Sequence, residues 1–184
     1  MPLYRYAAFF RNVNLGRPGK PTRAQFIEAF ESAGGKEVAS FQAHGNAVFQ
    51  ASGAREAARI TDAARAGLRK ACGLEEAIQL RALRHLAALV REDPFAGAPR
   101  DDIYAQCVTF IPAMRRAWPE GPIIAPRREV EVLARAGGEV FSVIREVNGR
   151  PGNVNALLER LLGVPVTTRA WSTVQRLVRT HGGA

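Results

Sequence analysis

An α+β fold of two similar halves is predicted by three observations. Short apolar runs of strand length alternate with amphipathic runs of helix length along the chain. The Pro/Gly-rich stretch near the midpoint, "PFAGAPRDDI" (94–103), has such a series on either side of it. "GRPG" occurs once in each series, at Gly16–Gly19 and Gly149–Gly152, each time after a strand-like run and before a helix-like one. A four-residue repeat is of the size chance supplies, so its placement counts for more than its identity.

In the first half, "YRYAAFF" (Tyr4–Phe10) is short, aromatic and stopped by a Gly/Pro loop, as a buried strand is. Thr22 stands three residues before Gln25, the spacing of a capping box. The helix it opens carries Phe26, Ala29, Phe30 and Ala33 on one face, and Gly34-Gly35 stops it. Two short runs follow, Glu37–Gln42 and Ala47–Ala51, joined by "AHGN", whose Gly45 and Asn46 suit a tight turn. "ASGAREAARITDAARAGLRKACG" puts Ile60, Ala64, Leu68 and Ala71 on one stripe. Arg55, Arg59, Arg65 and Arg69 cover the rest as a solvated face, and Gly73 closes the helix. "EAIQLRAL" reads as a strand running into a second amphipathic helix, Leu83–Val90, which stops before Asp93-Pro94.

In the second half, "YAQCVTFI" is a strand, and "PAMRRAWPEGPIIAPRR", with four prolines, is an irregular excursion. "EVEVLARAGGEVFSVIREV" alternates around Gly137-Gly138 and fits a hairpin. "NVNALLERLLG" is a helix ending at Gly163, "VPVT" a short edge-like strand, and "TRAWSTVQRLVRTH" a final amphipathic helix. Each half thus runs strand, helix, strand, strand, helix, or a close variant. Antiparallel hairpins mixed with crossover helices give two ferredoxin-like subdomains, antiparallel or mixed sheets with helices packed on one face. The expected division is 1–93 and 94–184, the latter including the C-terminal helix, in one compact structural unit.

With 184 residues, 47% hydrophobic and 23% charged, the chain has the size and composition of a globular protein with a sizeable core. Its net charge is +9, from 26 basic and 17 acidic residues, and only three of the basic residues are lysines. Attraction to polyanions explains that excess. GC-rich codon usage, which favours Arg and Ala, explains it equally well. The arginines are scattered, and no basic tail exists. "MPLYRYAAFFRN" lacks the pattern of a secretory leader, and no stretch approaches the roughly 18 apolar residues of a membrane span. Cys72 and Cys107 stand alone and read as small buried hydrophobes. A cytoplasmic location without membrane contact is therefore expected.

The loop "NVNLGRPGKPT" (Asn12–Thr22) invites comparison with a phosphate loop. When Gly19-Lys20 is aligned on the G-K of that motif, Asn14 falls where the first glycine belongs and Pro21 where Ser or Thr belongs. It is not a nucleoside-triphosphatase loop. A Gly loop entering a helix still offers donors to an anion, with Arg11 and Lys20 adding charge and Asn12 and Asn14 hydrogen bonds. The competing reading is a tight crossover with helix-capping chemistry. His44, in the "AHGN" turn, is the histidine placed to meet a ligand; His85 lies in a helix and His181 near the end. No His or Cys grouping suggests a metal, and no cofactor is implied. Glu75-Glu76 and Asp101-Asp102 are neighbours that would point apart on a strand, so neither forms an acid/base dyad. Trp171 has the spacing of a core anchor rather than a base-stacking platform.

Three ordered segments carry a resemblance. "FRNVNLG" resembles the pattern "LRGINVG", "FQAHGNAVF" resembles "YIQSGNVVF", and "LLERLLGVPVTTRAWSTVQRL" resembles "xIEKxLGVPxTTRNWNTVxKL". "EDPF" is similar to a mid-chain "xNPF". These patterns belong to the bacterial domain-of-unknown-function family DUF1697. The resemblance implies two similar, intertwined ferredoxin-like subdomains and no established activity. Arg11, Asn14, Gly16, Gly45, Asn46, Thr168, Arg169, Trp171 and Thr173 match it. Asn12 stands for a Gly, His44 for a Ser and Ala170 for an Asn, and Asn tolerates the left-handed backbone that a Gly there would adopt.

The expected function is a binding module for an anionic ligand, nucleic acid among the candidates. Arg11, Asn12, Asn14, Lys20, His44, Asn46 and Arg169 would converge on one pocket. The alternative is an enzyme acting on a small anionic substrate, the same loops flanking a cleft with His44 or an Arg as acid/base or clamp. A structural or partner-binding role is a third option. No catalytic residue or oligomeric state is assigned.

Overall fold

A computed structural model describes residues 2–98, 101–113 and 117–182. The chain divides into two compact units, Met1–Ala88 with Leu177–Ala184, and Leu89–Arg176. The chain therefore leaves the first unit, builds the second, and returns.

The first unit contains β1 (Tyr4–Phe10), α1 (Arg23–Ser32), β2 (Lys36–Ser40), β3 (Asn46–Ala51), α2 (Ala54–Cys72) and β4 (Ile78–Ala82), followed by the start of α3 (Leu83–Glu92). The sheet order is β2-β3-β1-β4 with every neighbouring pair antiparallel, the ferredoxin-like βαββαβ arrangement. Alternation decides which side each strand residue faces. Tyr6, Ala8 and Phe10 of β1 join Ala47, Phe49 and Ala51 of β3 in a core with Phe26 and Phe30 of α1 and Ile60, Ala64 and Leu68 of α2. Phe10, Phe26 and Phe30 meet edge to face at 5.0–6.1 Å between ring centres. Each such fully buried ring contributes about 2–3 kcal/mol from area alone.

The helix signals hold in detail. The Thr22 hydroxyl accepts from Gln25 N–H, and the Gln25 side chain accepts from Thr22 N–H. Gly73 caps α2 at φ 70° in the left-handed region. Arg55, Arg59, Arg65 and Arg69 are exposed, as a solvated face requires. Ala71, expected on the buried stripe, is exposed instead; Thr61 and Ala57 are buried with Ile60, Ala64 and Leu68.

The second unit contains β5 (Ala105–Phe110), β6 (Val130–Ala136), β7 (Glu139–Ile144), the short hairpin β8 (Glu146–Val147) and β9 (Arg150–Pro151), α4 (Val154–Leu162) and β10 (Thr167–Ala170), then the start of α5 (Trp171–His181). Its sheet order, β10-β5-β7-β6, repeats that of the first unit, again all antiparallel between neighbours. Among the described residues, the crossover from β5 to β6 holds no helix. The Ile124–Glu131 bridge and the Arg135 guanidinium, 4.8 Å over the Trp118 ring, tie it to β6. Part of that excursion (114–116) and of the midpoint linker (99–100) lies outside the described residues. Val154, Leu157, Leu158 and Leu162 of α4 close the core over Cys107, Val130 and Val140.

Three sequence expectations are corrected. The last strand is Thr167–Ala170 rather than "VPVT", because its register runs against β5 from Thr167–Phe110 to Ala170–Cys107; α5 then starts only at Trp171. The β8–β9 hairpin was not expected; its Asn148-Gly149 turn, at φ 53° and 72°, has two left-handed residues. The two "GRPG" segments are not equivalent. The first lies in the β1–α1 crossover, the second in the hairpin between β7 and α4, so they occupy different crossovers of the shared topology.

Candidate functional site

The loop after β1 and the turn before β3 are built against each other. Leu15 N–H donates to Ala43 C=O at 2.7 Å, and Phe10 N–H to Gly45 C=O at 2.9 Å. Gly45, at φ 64°, fits because it has no side chain: a Cβ there would lie 2.7 Å from Val13 Cβ. Sequence-distant segments 11–16 and 42–46 thus form one surface. Asn12, at φ 51° in the left-handed region, is exposed there, as are Asn14 and His44.

Asn46 has a different position from its neighbours. It is fully buried, and its Nδ2 donates to Phe41 C=O at 3.1 Å while Phe41 N–H donates to its carbonyl at 2.9 Å. That pair of bonds closes the turn.

The two basic residues of the loop meet on a carboxylate. Arg11 Nη1 lies 3.6 Å from one Glu76 oxygen and Lys20 Nζ 3.5 Å from the other, all three side chains half-buried. Glu75, the adjacent residue, pairs with Arg69 at 2.7 Å on the surface. Arg11 and Lys20 thus stand on opposite oxygens of one carboxylate. Beside it Lys20, Gly73 and the carboxylates Glu75 and Glu76 line a shallow polar cleft of about 370 Å³. Glu76 was weighed from the sequence only as a neighbour of Glu75, not as a partner of the loop. Its place just after the Gly73 stop put it on the segment entering β4, and nothing in its spacing tied it to a loop 56 residues earlier.

At α1 the capping box occupies the Thr22 and Gln25 amides, so the crossover has the capping chemistry set against an anion loop at the sequence level. Arg169 belongs to the second unit, on edge strand β10. It is half-buried, its Nη1 donates to Thr168 C=O at 2.9 Å, and burial pushes its guanidinium down to about 10. Beside it the Thr168 hydroxyl is 2.6 Å from that of buried Thr109 and donates to Asn155 Oδ1 at 2.6 Å. Trp171 is a core residue, 2% exposed and packed on Phe95 and Phe141. Among the described residues no group of His, Cys, Asp and Glu could hold a metal ion, and no helix is long and apolar enough to cross a membrane.

Fold and loop chemistry together define a two-unit α+β protein with a basic, carboxylate-braced loop in its first unit. The chain belongs to the family described as "Protein of unknown function (DUF1697)", whose profile matches residues 3–141. It is similar in fold to the solved structure of conserved bacterial protein SP0830 from Streptococcus pneumoniae. The TM-score is 0.63 at 16% identity, over 97% of this chain and 98% of that one. No curated protein matches the sequence.

Proposed function

We propose that the first unit is a binding module for an anionic ligand, with nucleic acid among the ligands it takes. The observation that carries this is the convergence of Arg11 and Lys20 on Glu76, at 3.6 and 3.5 Å, beside the exposed Asn12, Asn14 and His44. The Asn and His side chains supply hydrogen-bonding groups next to the two cations. Tyr6, Phe9, Phe10 and Phe49 of the sheet are buried, and the exposed sheet aromatic, Tyr4, stands at the far end of β1 from Arg11, so base stacking beside this loop is not the mode. Phosphate contact is.

The test is fluorescence anisotropy with labelled short single-stranded RNA and DNA, and with inorganic phosphate as competitor, between 20 and about 200 mM salt. Affinity is expected to fall steeply with salt. The double variant Arg11→Ala/Lys20→Ala is expected to weaken binding roughly tenfold, a loss of about 1.4 kcal/mol. Arg55→Ala/Arg65→Ala removes equal charge from α2 and is expected to change far less. No binding at low salt, or equal losses in both double variants, would leave only the +9 net charge and overturn the reading.

A further inference from the structure

A second cavity lies in the first unit, at the opposite end of β1 and β4 from the loop just described. It has a volume of about 210 Å³ and is formed where the start of β1, the β4–α3 junction and the last residues of α5 come together. Its walls divide by chemistry. Tyr4, Ala82 and Leu83 are apolar; Arg5, Arg84 and His181 are cationic or ionisable. No carboxylate lines it among the described residues, and the first turn of α3 carries none.

The two arginines are held differently. Arg5 donates to the His181 carbonyl at 2.8 Å and to Glu37 at 3.2 Å, which makes it part of the wall. The Arg84 guanidinium lies over the Tyr4 ring, 5.6 Å from its centre, and has no carboxylate partner among the described residues. A guanidinium held over an aromatic ring by its charge still has N–H donors to offer, and its fork can take an oxyanion in two parallel bonds. Tyr4 is 41% exposed, so the ring that orients Arg84 also offers apolar surface at the mouth. The Phe41 ring, edge-on to His181 at 5.9 Å, fixes the imidazole behind.

We propose that this cavity binds a small organic anion: an oxyanion head on Arg84 and a compact apolar or single-ring body against Tyr4, Ala82 and Leu83. The cavity is smaller than the ~300 Å³ at which drug-sized sites begin, which excludes a dinucleotide and favours a one-ring acid. The site is independent of the Arg11–Lys20 loop, and its fate does not decide that of the loop.

The test is an amide-shift titration of the isotope-labelled full chain with phenyl phosphate and with benzoate, set against inorganic phosphate and phenol. Either ring-bearing anion is expected to give saturable shifts at Tyr4, Leu83 and Arg84. Anion alone and ring alone are expected to bind at least roughly tenfold more weakly. Arg84→Gln, at an exposed position, is expected to keep the melting temperature and weaken binding roughly tenfold, whereas Arg11→Ala leaves it unchanged. Absence of saturable shifts at these amides with both ring-bearing anions overturns the proposal. So does full affinity in Arg84→Gln, or inorganic phosphate binding as tightly as phenyl phosphate.

Discussion

Gly45 stands so close to Val13 that a methyl group on its Cα would lie 2.7 Å from Val13 Cβ. This contact, with the bond from Phe10 N–H to Gly45 C=O, locks the turn before β3 onto the loop after β1. Two penalties therefore fall together on Gly45→Ala: a left-handed φ of 64° and a clash with a packed side chain. The expected loss is about 2–4 kcal/mol. Gly19→Ala, at φ 71° with open space around it, meets only the first penalty and is expected to cost about 1 kcal/mol. Urea unfolding of the two variants measures the difference. Equal costs would mean that the loop and turn are not in contact.

Glu76 braces two cations, so its neutral variant separates stability from binding. Glu76→Gln is expected to cost only about 0.5–1 kcal/mol, the usual range of half-exposed pairs. On the proposed function, phosphate and oligonucleotide affinity should rise in the same variant, because the competing negative charge is gone. Anisotropy at fixed salt reads this directly, and a fall in affinity would contradict an anion site at Arg11 and Lys20.

Thr168 bridges Thr109 and Asn155 through its hydroxyl at 2.6 Å on both sides. Thr168→Val leaves the Thr109 hydroxyl, at 0% exposure, without that partner. The expected loss is about 1–3 kcal/mol, and the Thr109→Val/Thr168→Val pair should lose less than the two singles added. Additive losses in a double-mutant cycle would show that the two residues are not neighbours.

His181 supplies a pH dependence. Burial, with the Arg5 charge second, holds its imidazole below the ordinary 6.5. The unfolded chain then binds the proton more readily than the folded one. The contribution to stability is complete above about pH 6.5 and is lost as pH falls through that value towards the lower folded pKa. Urea midpoints measured from pH 8 to 5 should drop more in the parent than in His181→Gln. A rise on acidification relative to that variant would reverse the sign and refute the assignment.

Much of the fold was legible because its causes are local. The Thr22–Gln25 box, the glycine stops at Gly73 and Gly163 and the alternation around Gly137-Gly138 all act within a few residues of themselves. The motifs at Arg11–Gly16 and Gly45–Asn46 likewise pointed to the family and marked one loop and one turn. Tertiary structure alone decided what those residues do. It buried the Asn46 amide on Phe41 C=O, supplied Glu76 to Arg11 and Lys20, and moved the last strand to Thr167–Ala170 by pairing it with β5. It also joined Arg5 to His181 across 176 positions. Helix caps and hydrophobic periods report only on near neighbours. Which distant side chain meets a cation is set by strand order and register, and those emerge only when the whole sheet is assembled.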